Sequence, residues 1–204
     1  QANILQRAIK SMAKKYKNIA MLSHTHGQPA SPTTMGKEFI NFYRRLDAQI
    51  HDLNNIEIKG KFNGATGNYS AHSVTYPKVN WPNTMRKFVN TLKLEFNSHT
   101  TQIEPHDYIA DLCHKINHIN SILIGFSQDV WAYISKNYFT QKNIKGEIGS
   151  STMPHKINPI NFENAEGNLG MSNAISNYFS SKLVISRLQR DLSDSTVLRN
   201  IGLV

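Results

Sequence analysis

Between Ile109 and Tyr133, apolar side chains recur at Ile109, Leu112, Ile116, Ile119, Leu123, Phe126, Val130 and Tyr133, in steps that alternate three and four. That alternation is the period of a seam along an α-helix, and here it persists over several heptads. A strand cannot use it, because strand side chains change face at every residue. Ile122, Ile124, Trp131 and Ile134 widen the apolar surface beyond a single seam. Such a helix needs apolar cover on several sides, as in a helix bundle or the core of an oligomer. The feature therefore predicts an all-α fold of long helices packed side by side, with function left to the segments between them.

The rest of the chain agrees. Ile4, Leu5, Ala8, Ile9, Met12 and Tyr16 fall on one helical face. Ser31-Pro32 reads as a helix start, since serine can cap and proline suits the first helical position. Met35, Phe39, Phe42, Leu46, Ile50 and Leu53 follow it at helical spacing. A short helix is predicted from Asn83 to Leu94, after Trp81-Pro82, and another from Phe162 to Lys182, where Gly167 and Gly170 permit close packing. No repeat or low-complexity stretch interrupts the pattern. The first helical face is already under way at Gln1, and Val204 ends the chain inside another pattern without a stop signal. Residues 1–204 are accordingly expected to be one central helical domain of a longer protein, without its N-terminal and C-terminal parts.

Composition narrows the function classes. With 39% hydrophobic and 18% charged residues the chain can bury a core. No apolar run approaches the ~20 residues of a membrane span, and no signal peptide opens the sequence. One cysteine, Cys113, excludes an internal disulfide framework and fits a reducing cytoplasm. The net charge of +9 calls for an anionic partner. The densest basic clusters, Lys14-Lys15-Tyr16-Lys17 and Arg44-Arg45, are not followed by an aromatic-interleaved basic stripe. A small polyanionic substrate accounts for the charge equally well, and the pattern does not favour a nucleic acid. No G-x-G-x-x-G follows a strand, and neither a Walker loop nor zinc-ligand spacing occurs.

Polar segments separate the helices: Ser23 to Thr33, Asn63 to His72, Asn97 to Asp107 and Gly146 to Asn161. The most informative is Gly149-Ser150-Ser151-Thr152-Met153-Pro154-His155-Lys156-Ile157-Asn158-Pro159. Its glycine and two prolines argue for a shaped loop. Its hydroxyls, backbone donors, lysine and asparagine suit a carboxylate-bearing substrate on which further negative charge develops.

This segment resembles the signature loop of the fumarase/aspartase superfamily, and His155, before the lysine, resembles the adenylosuccinate lyase branch. The extension Ile160 to Leu169 is similar to the bacterial type of that branch. So are the blocks Thr25 to Ala30, Asn63 to Tyr69, Thr101 to Tyr108 and Arg190 to Asn200, in the expected order along nearly the whole chain. The resemblance implies a long-helix bundle with short irregular active-site loops, and a homotetramer whose sites combine loops from different subunits. It implies elimination of fumarate from a succinylated purine-precursor nucleotide, with no metal or organic cofactor. Residue by residue, it implies Ser150 as base, with Ser151 a rival on sequence grounds, and His26 as general acid. Thr25, Gln102, Ser151, Lys156 and Asn158 are implied as substrate contacts, and Arg190, Ser195 and Arg199 as phosphate and nucleotide contacts. Among 9 histidines, only His26 is singled out as acid by its block; His106 and His155 are not. Asn164 stands where many members of the branch carry arginine. A T-S-x-D-type motif and a further histidine of the family are not in this sequence, so the segment by itself is expected to be inactive. A competing reading of the last block is ordinary surface pairing of its arginines with Asp191 and Asp194.

Overall fold

The computed structural model describes residues 2–142, 152, 153 and 155–204. The chain divides into two compact units, Gln1–Asp52 with His118–Met171, and Leu53–Asn117 with Ser172–Val204. Two long helices, Asp107–Ser135 and Ile160–Lys182, contribute residues to both. Helix is the dominant structure among the described residues, as the apolar periodicity predicts. Among the described residues the strands are confined to two two-stranded sheets.

In the first unit, α1 (Ala2–Lys15) leads into an antiparallel hairpin, β1 (Ala20–Thr25) and β2 (Gln28–Thr34), and then into α2 (Met35–Asn54), whose last residues pass into the second unit. The hairpin corrects two sequence expectations. Ser23 to Thr33 is mostly strand rather than loop, and Ser31-Pro32 does not start a helix but lies in β2. The helix begins at Met35, with Thr34 as its cap: the Lys37 amide donates to Thr34 Oγ1 at 3.3 Å. Ser31 has the chemistry of a cap, but its backbone carbonyl is already engaged by the Ser23 hydroxyl across the hairpin. Gly36 is required where α2 meets the end of α1, because a Cβ there would stand 2.4 Å from Lys17 Cα. The core of the unit is aromatic. Phe39 and Phe42 of α2 pack on Phe126 with ring centroids 6.0 and 5.2 Å apart, and Ile9, Leu46 and Ile122 are almost fully buried.

The second unit holds β3 (Lys59–Gly60), paired in parallel with β4 (Glu95–Phe96), and the short helices α3 (Ser70–Thr75) and α4 (Trp81–Thr91). Helix α4 starts two residues before the predicted Asn83. Asn80 caps it by accepting from the Asn83 amide at 3.2 Å, and Pro82 occupies the first turn, where it costs no hydrogen bond. The core joins Ile109 and Cys113 of α5 (Asp107–Ser135), Phe179 of α6 (Ile160–Lys182) and Leu183 just after it, and Val197 of α7 (Ser193–Leu198). Burial pushes the Cys113 thiol up, so it behaves as a small apolar core residue.

The seam on α5 is only partly covered. Ile109, Ile119 and Val130 are buried, Leu112, Ile116, Leu123, Phe126 and Tyr133 are half-buried, and Trp131 is exposed. Cys113, Asn120 and Ser127, one heptad apart and off the seam, are buried instead. A hydropathy pattern overlooks such a line, because two of its three members are polar.

Candidate active site

The expected site residues fall into two groups, one in each unit. In the first, His26 and Gly27 form the two-residue turn between β1 and β2, closed by the Thr25–Gln28 pair. Both have left-handed backbone conformations, φ 51° and 72°. A two-residue hairpin of this hand needs positive φ at both positions, which glycine adopts freely and histidine tolerates better than most residues. The turn therefore carries the His26 imidazole, exposed, at its tip, with Thr25 beside it. The strands below are fastened to the unit by Tyr138, whose hydroxyl donates to the Leu22 carbonyl at 3.3 Å and whose ring meets that of His24 edge-on.

Lys156 and Asn158 belong to the same unit. The exposed Lys156 ammonium donates to Asn158 Oδ1 at 2.7 Å, which orients the lysine along the segment entering α6. Gln141 donates to the Ile157 carbonyl at 2.9 Å and fixes the backbone between them. The Pro159 carbonyl then receives the Phe162 and Glu163 amides, so the segment ends as the helix begins. His155 is exposed. Ser150 and Ser151, the expected base and its rival, lie outside the described residues.

The second group is more tightly built, and three of the sequence blocks meet in it. Lys61 gathers two of them: its ammonium donates to the carbonyls of Gly64 (2.8 Å), Thr101 (3.3 Å) and Gln102 (2.6 Å). Burial lowers the pKa of this lysine. Asn63, fully buried, exchanges hydrogen bonds with the Thr100 hydroxyl at 2.9–3.1 Å. Gly67 lies so close to Thr100 that a Cβ would fall 1.8 Å from its carbonyl oxygen. Gln102, its side chain exposed, is tied to the third block by its amide, which donates to the Gln189 carbonyl at 3.3 Å.

That third block supplies Arg190. One guanidinium nitrogen donates to Asp194 Oδ2 at 3.0 Å and another to the Ser195 hydroxyl at 3.1 Å. Both bonds depend on the turn into α7. Asp191 caps that turn by accepting from the Ser193 amide at 2.7 Å and from its hydroxyl, and these hydrogen bonds hold the Asp191 carboxyl well below the usual carboxylate range. Asp194 is buried. Burial alone would raise its carboxyl, but the hydrogen bond from His106, the Ser195 amide and the charge of Arg190 outweigh it, and the net shift is downward. A loop-to-helix turn is thus present near Asp194, and it brings Arg190 and Ser195 together. Arg199, at the far end of α7, is exposed. Of the two aspartates in the surface-pairing reading, Asp194 does bind Arg190, whereas Asp191 pairs with Arg187 at 3.4 Å.

Sequence reasoning did not single out His106, Glu104, Lys61 or Asn63. All but Lys61 lie inside the quoted blocks, and that membership was the available signal. Among the described residues no group of three His, Cys, Asp or Glu side chains is placed to hold a metal ion. No helix there is long and apolar enough to cross a membrane.

In the first unit, an imidazole presented on a hairpin and a lysine–asparagine pair ahead of a helix are donors suited to proton transfer and to an anionic substrate; in the second, an arginine–serine pair on a charged network is by itself suited to an anionic group. Comparison with known proteins agrees with this chemistry: a family profile described as lyase matches residues 1–173, and the chain belongs to that lyase family. Among its relatives is the adenylosuccinate lyase of Buchnera aphidicola subsp. Schizaphis graminum, 61% identical over 196 residues, which cover 96% of this chain and 43% of the relative. The adenylosuccinate lyase of Escherichia coli (strain K12) is 58% identical over 95% of the chain and 42% of its own length. That of Legionella pneumophila (strain Corby) is 57% identical over 96% and 43%. The chain thus spans less than half the length of these curated relatives.

Proposed function

We propose that the whole protein is an adenylosuccinate lyase, which eliminates fumarate from adenylosuccinate to give AMP and from the succinylated aminoimidazole carboxamide ribonucleotide of purine biosynthesis. The observation that carries this reading is identity of 55–61% to adenylosuccinate lyases over nearly the entire chain. In the reaction a base removes a proton from the succinyl carbon next to a carboxylate. The electron pair forms the fumarate double bond as the carbon–nitrogen bond breaks, and the departing nitrogen is protonated. Ser150 is the proposed base, with Ser151 the rival, and His26 the proposed acid. The exposed position of His26 on a rigid turn supports its role, since an acid must reach the leaving nitrogen.

Negative charge builds on the substrate carboxylate during proton removal, and Lys156, Asn158 and Thr25 are proposed to stabilise it. Gln102 contacts the substrate, and Arg190, Ser195 and Arg199 hold the nucleotide phosphate, for which arginine's forked donors are suited. Residues 1–204 form the central helical domain of a cytoplasmic homotetramer, with sites completed by neighbouring subunits. The half-buried seam of α5 supports its place in a helix bundle shared between subunits. An ultraviolet assay for fumarate release by the whole protein tests the reading. Turnover of adenylosuccinate is expected, with argininosuccinate, aspartate and malate inert. Preferential turnover of one of the latter would assign the protein to another lyase of the superfamily.

A further inference from the structure

His106 occupies an unusual position in the second unit. It is a non-glycine residue with φ 67°, in the left-handed region, immediately before α5. Such conformations persist only where surrounding contacts enforce them. Here the Glu104 carboxylate does so, accepting the His106 amide at 2.7 Å while Asn97 holds its other oxygen at 3.1 Å. The result is to aim the largely buried imidazole at Asp194, with Nε2 3.3 Å from Oδ2. A carboxylate can only accept, so Nε2 carries the hydrogen. Nδ1 is buried without a hydrogen-bond partner among the described residues, its nearest charged neighbour being Glu104 at 3.9 Å. The same Asp194 oxygen receives Arg190. Two donors from separate segments therefore share one carboxylate oxygen.

We propose that His106 is a positioning residue for Arg190, acting through Asp194; this rests on the reading of Arg190 as a phosphate contact. Held from both sides, Asp194 fixes the guanidinium plane, and Ser195 fixes its second nitrogen. Two of the five N–H groups of arginine are then committed, and the others can receive a phosphate in a set orientation. Without His106, Asp194 turns more of its charge toward Arg190 and competes with the phosphate.

The test is steady-state kinetics with adenylosuccinate on the whole protein. His106→Ala is expected to raise KM about tenfold or more, the size of a lost hydrogen bond to a charged group, with kcat changed by less than about threefold because phosphate binding is common to ground and transition states. His106→Gln, whose amide can reach Asp194 as Nε2 does, should restore KM to near wild type, and it serves as the reporter if the alanine variant folds poorly. In an Arg190→Ala background, His106→Ala should cause no further rise in KM, whereas a merely structural histidine would add its effect. Additive effects, or an unchanged KM in His106→Ala beside a raised KM in Arg190→Ala, would overturn the positioning role alone. An unchanged KM in Arg190→Ala would overturn both that role and the phosphate assignment beneath it.

Discussion

His26 stands exposed at the tip of a two-residue turn, whereas Arg190 is tied to Asp194 and Ser195, and Asp194 is itself tied to His106. The hairpin places its side chain by backbone geometry: two left-handed residues and a strand register set where the imidazole leaves the chain. The arginine cluster places its side chain by charge, through a carboxylate buried among donors. The difference fits the proposed roles. A group that passes a proton must come within hydrogen-bond reach of the reacting atom, which an exposed side chain at the tip of a turn can do. A group that binds phosphate gains from being fixed beforehand, because less motion is lost on binding.

Substitutions can break this contrast, and the largest effect is expected at the hairpin. His26→Ala should lower kcat by ~10²–10⁴-fold, the usual contribution of a general acid, while a binding titration still shows the nucleotide bound. Near-normal turnover would remove His26 from the mechanism. The second effect contrasts two turns. Gly67 and Gly27 both have positive φ, 78° and 72°, but a Cβ on Gly67 meets Thr100 backbone, whereas one on Gly27 meets nothing within 4 Å. Gly67→Ala should cost about 2–5 kcal/mol in urea unfolding, combining left-handed strain with overpacking. It should also disturb Gln102, whose segment packs there.

Arg199→Ala comes next. It should raise KM by about tenfold, or ~1.4 kcal/mol, with little change in kcat. Wild-type affinity in that variant would restrict phosphate binding to Arg190 and Ser195. Gly27→Ala is expected to cost only ~1–2 kcal/mol, from backbone strain alone; a loss equal to that of Gly67→Ala would show that the hairpin tip is packed after all.

The smallest effect is one of pH. Asp194 is depressed below the ordinary carboxyl value of 3.8, so the stability it contributes is present above that value and lost as pH falls through the lower folded value. The stability gap between wild type and Asp194→Asn should therefore be constant near neutrality and narrow below about pH 4. A gap independent of pH down to acid unfolding would mean that Asp194 is not held by its donors.

Much of the secondary structure was legible from spacing. Helices α1, α2, α5 and α6 lie where their apolar periods predict, within a few residues at the ends, because an amphipathic stripe is a local consequence of 3.6 residues per turn. The failure at Ser31-Pro32 is equally instructive: serine followed by proline is chemically competent to start a helix, and only pairing with Ala20–Thr25 makes the segment a strand. Of the candidate site, the blocks were legible as polar, three of the five with glycine, and the resemblance named their side chains. Their meeting was not legible, since Gln102, His106, Asp194 and Arg190 lie about 90 positions apart in pairs and no local pattern encodes that proximity.

By itself, then, the sequence determined the helical framework, the placement of polar segments between helices and the family to which they belong. Each rests on side-chain order along the chain, which periodicity and motif read directly. Only the tertiary structure decided that His26 sits on a turn rather than in a loop, that Lys61 gathers two blocks through three carbonyls, and that Asp194 is shared by His106 and Arg190. The reason is physical. A hydrogen bond to a buried carboxylate or backbone carbonyl depends on where folding brings its two ends, and residue type says only that a donor is available.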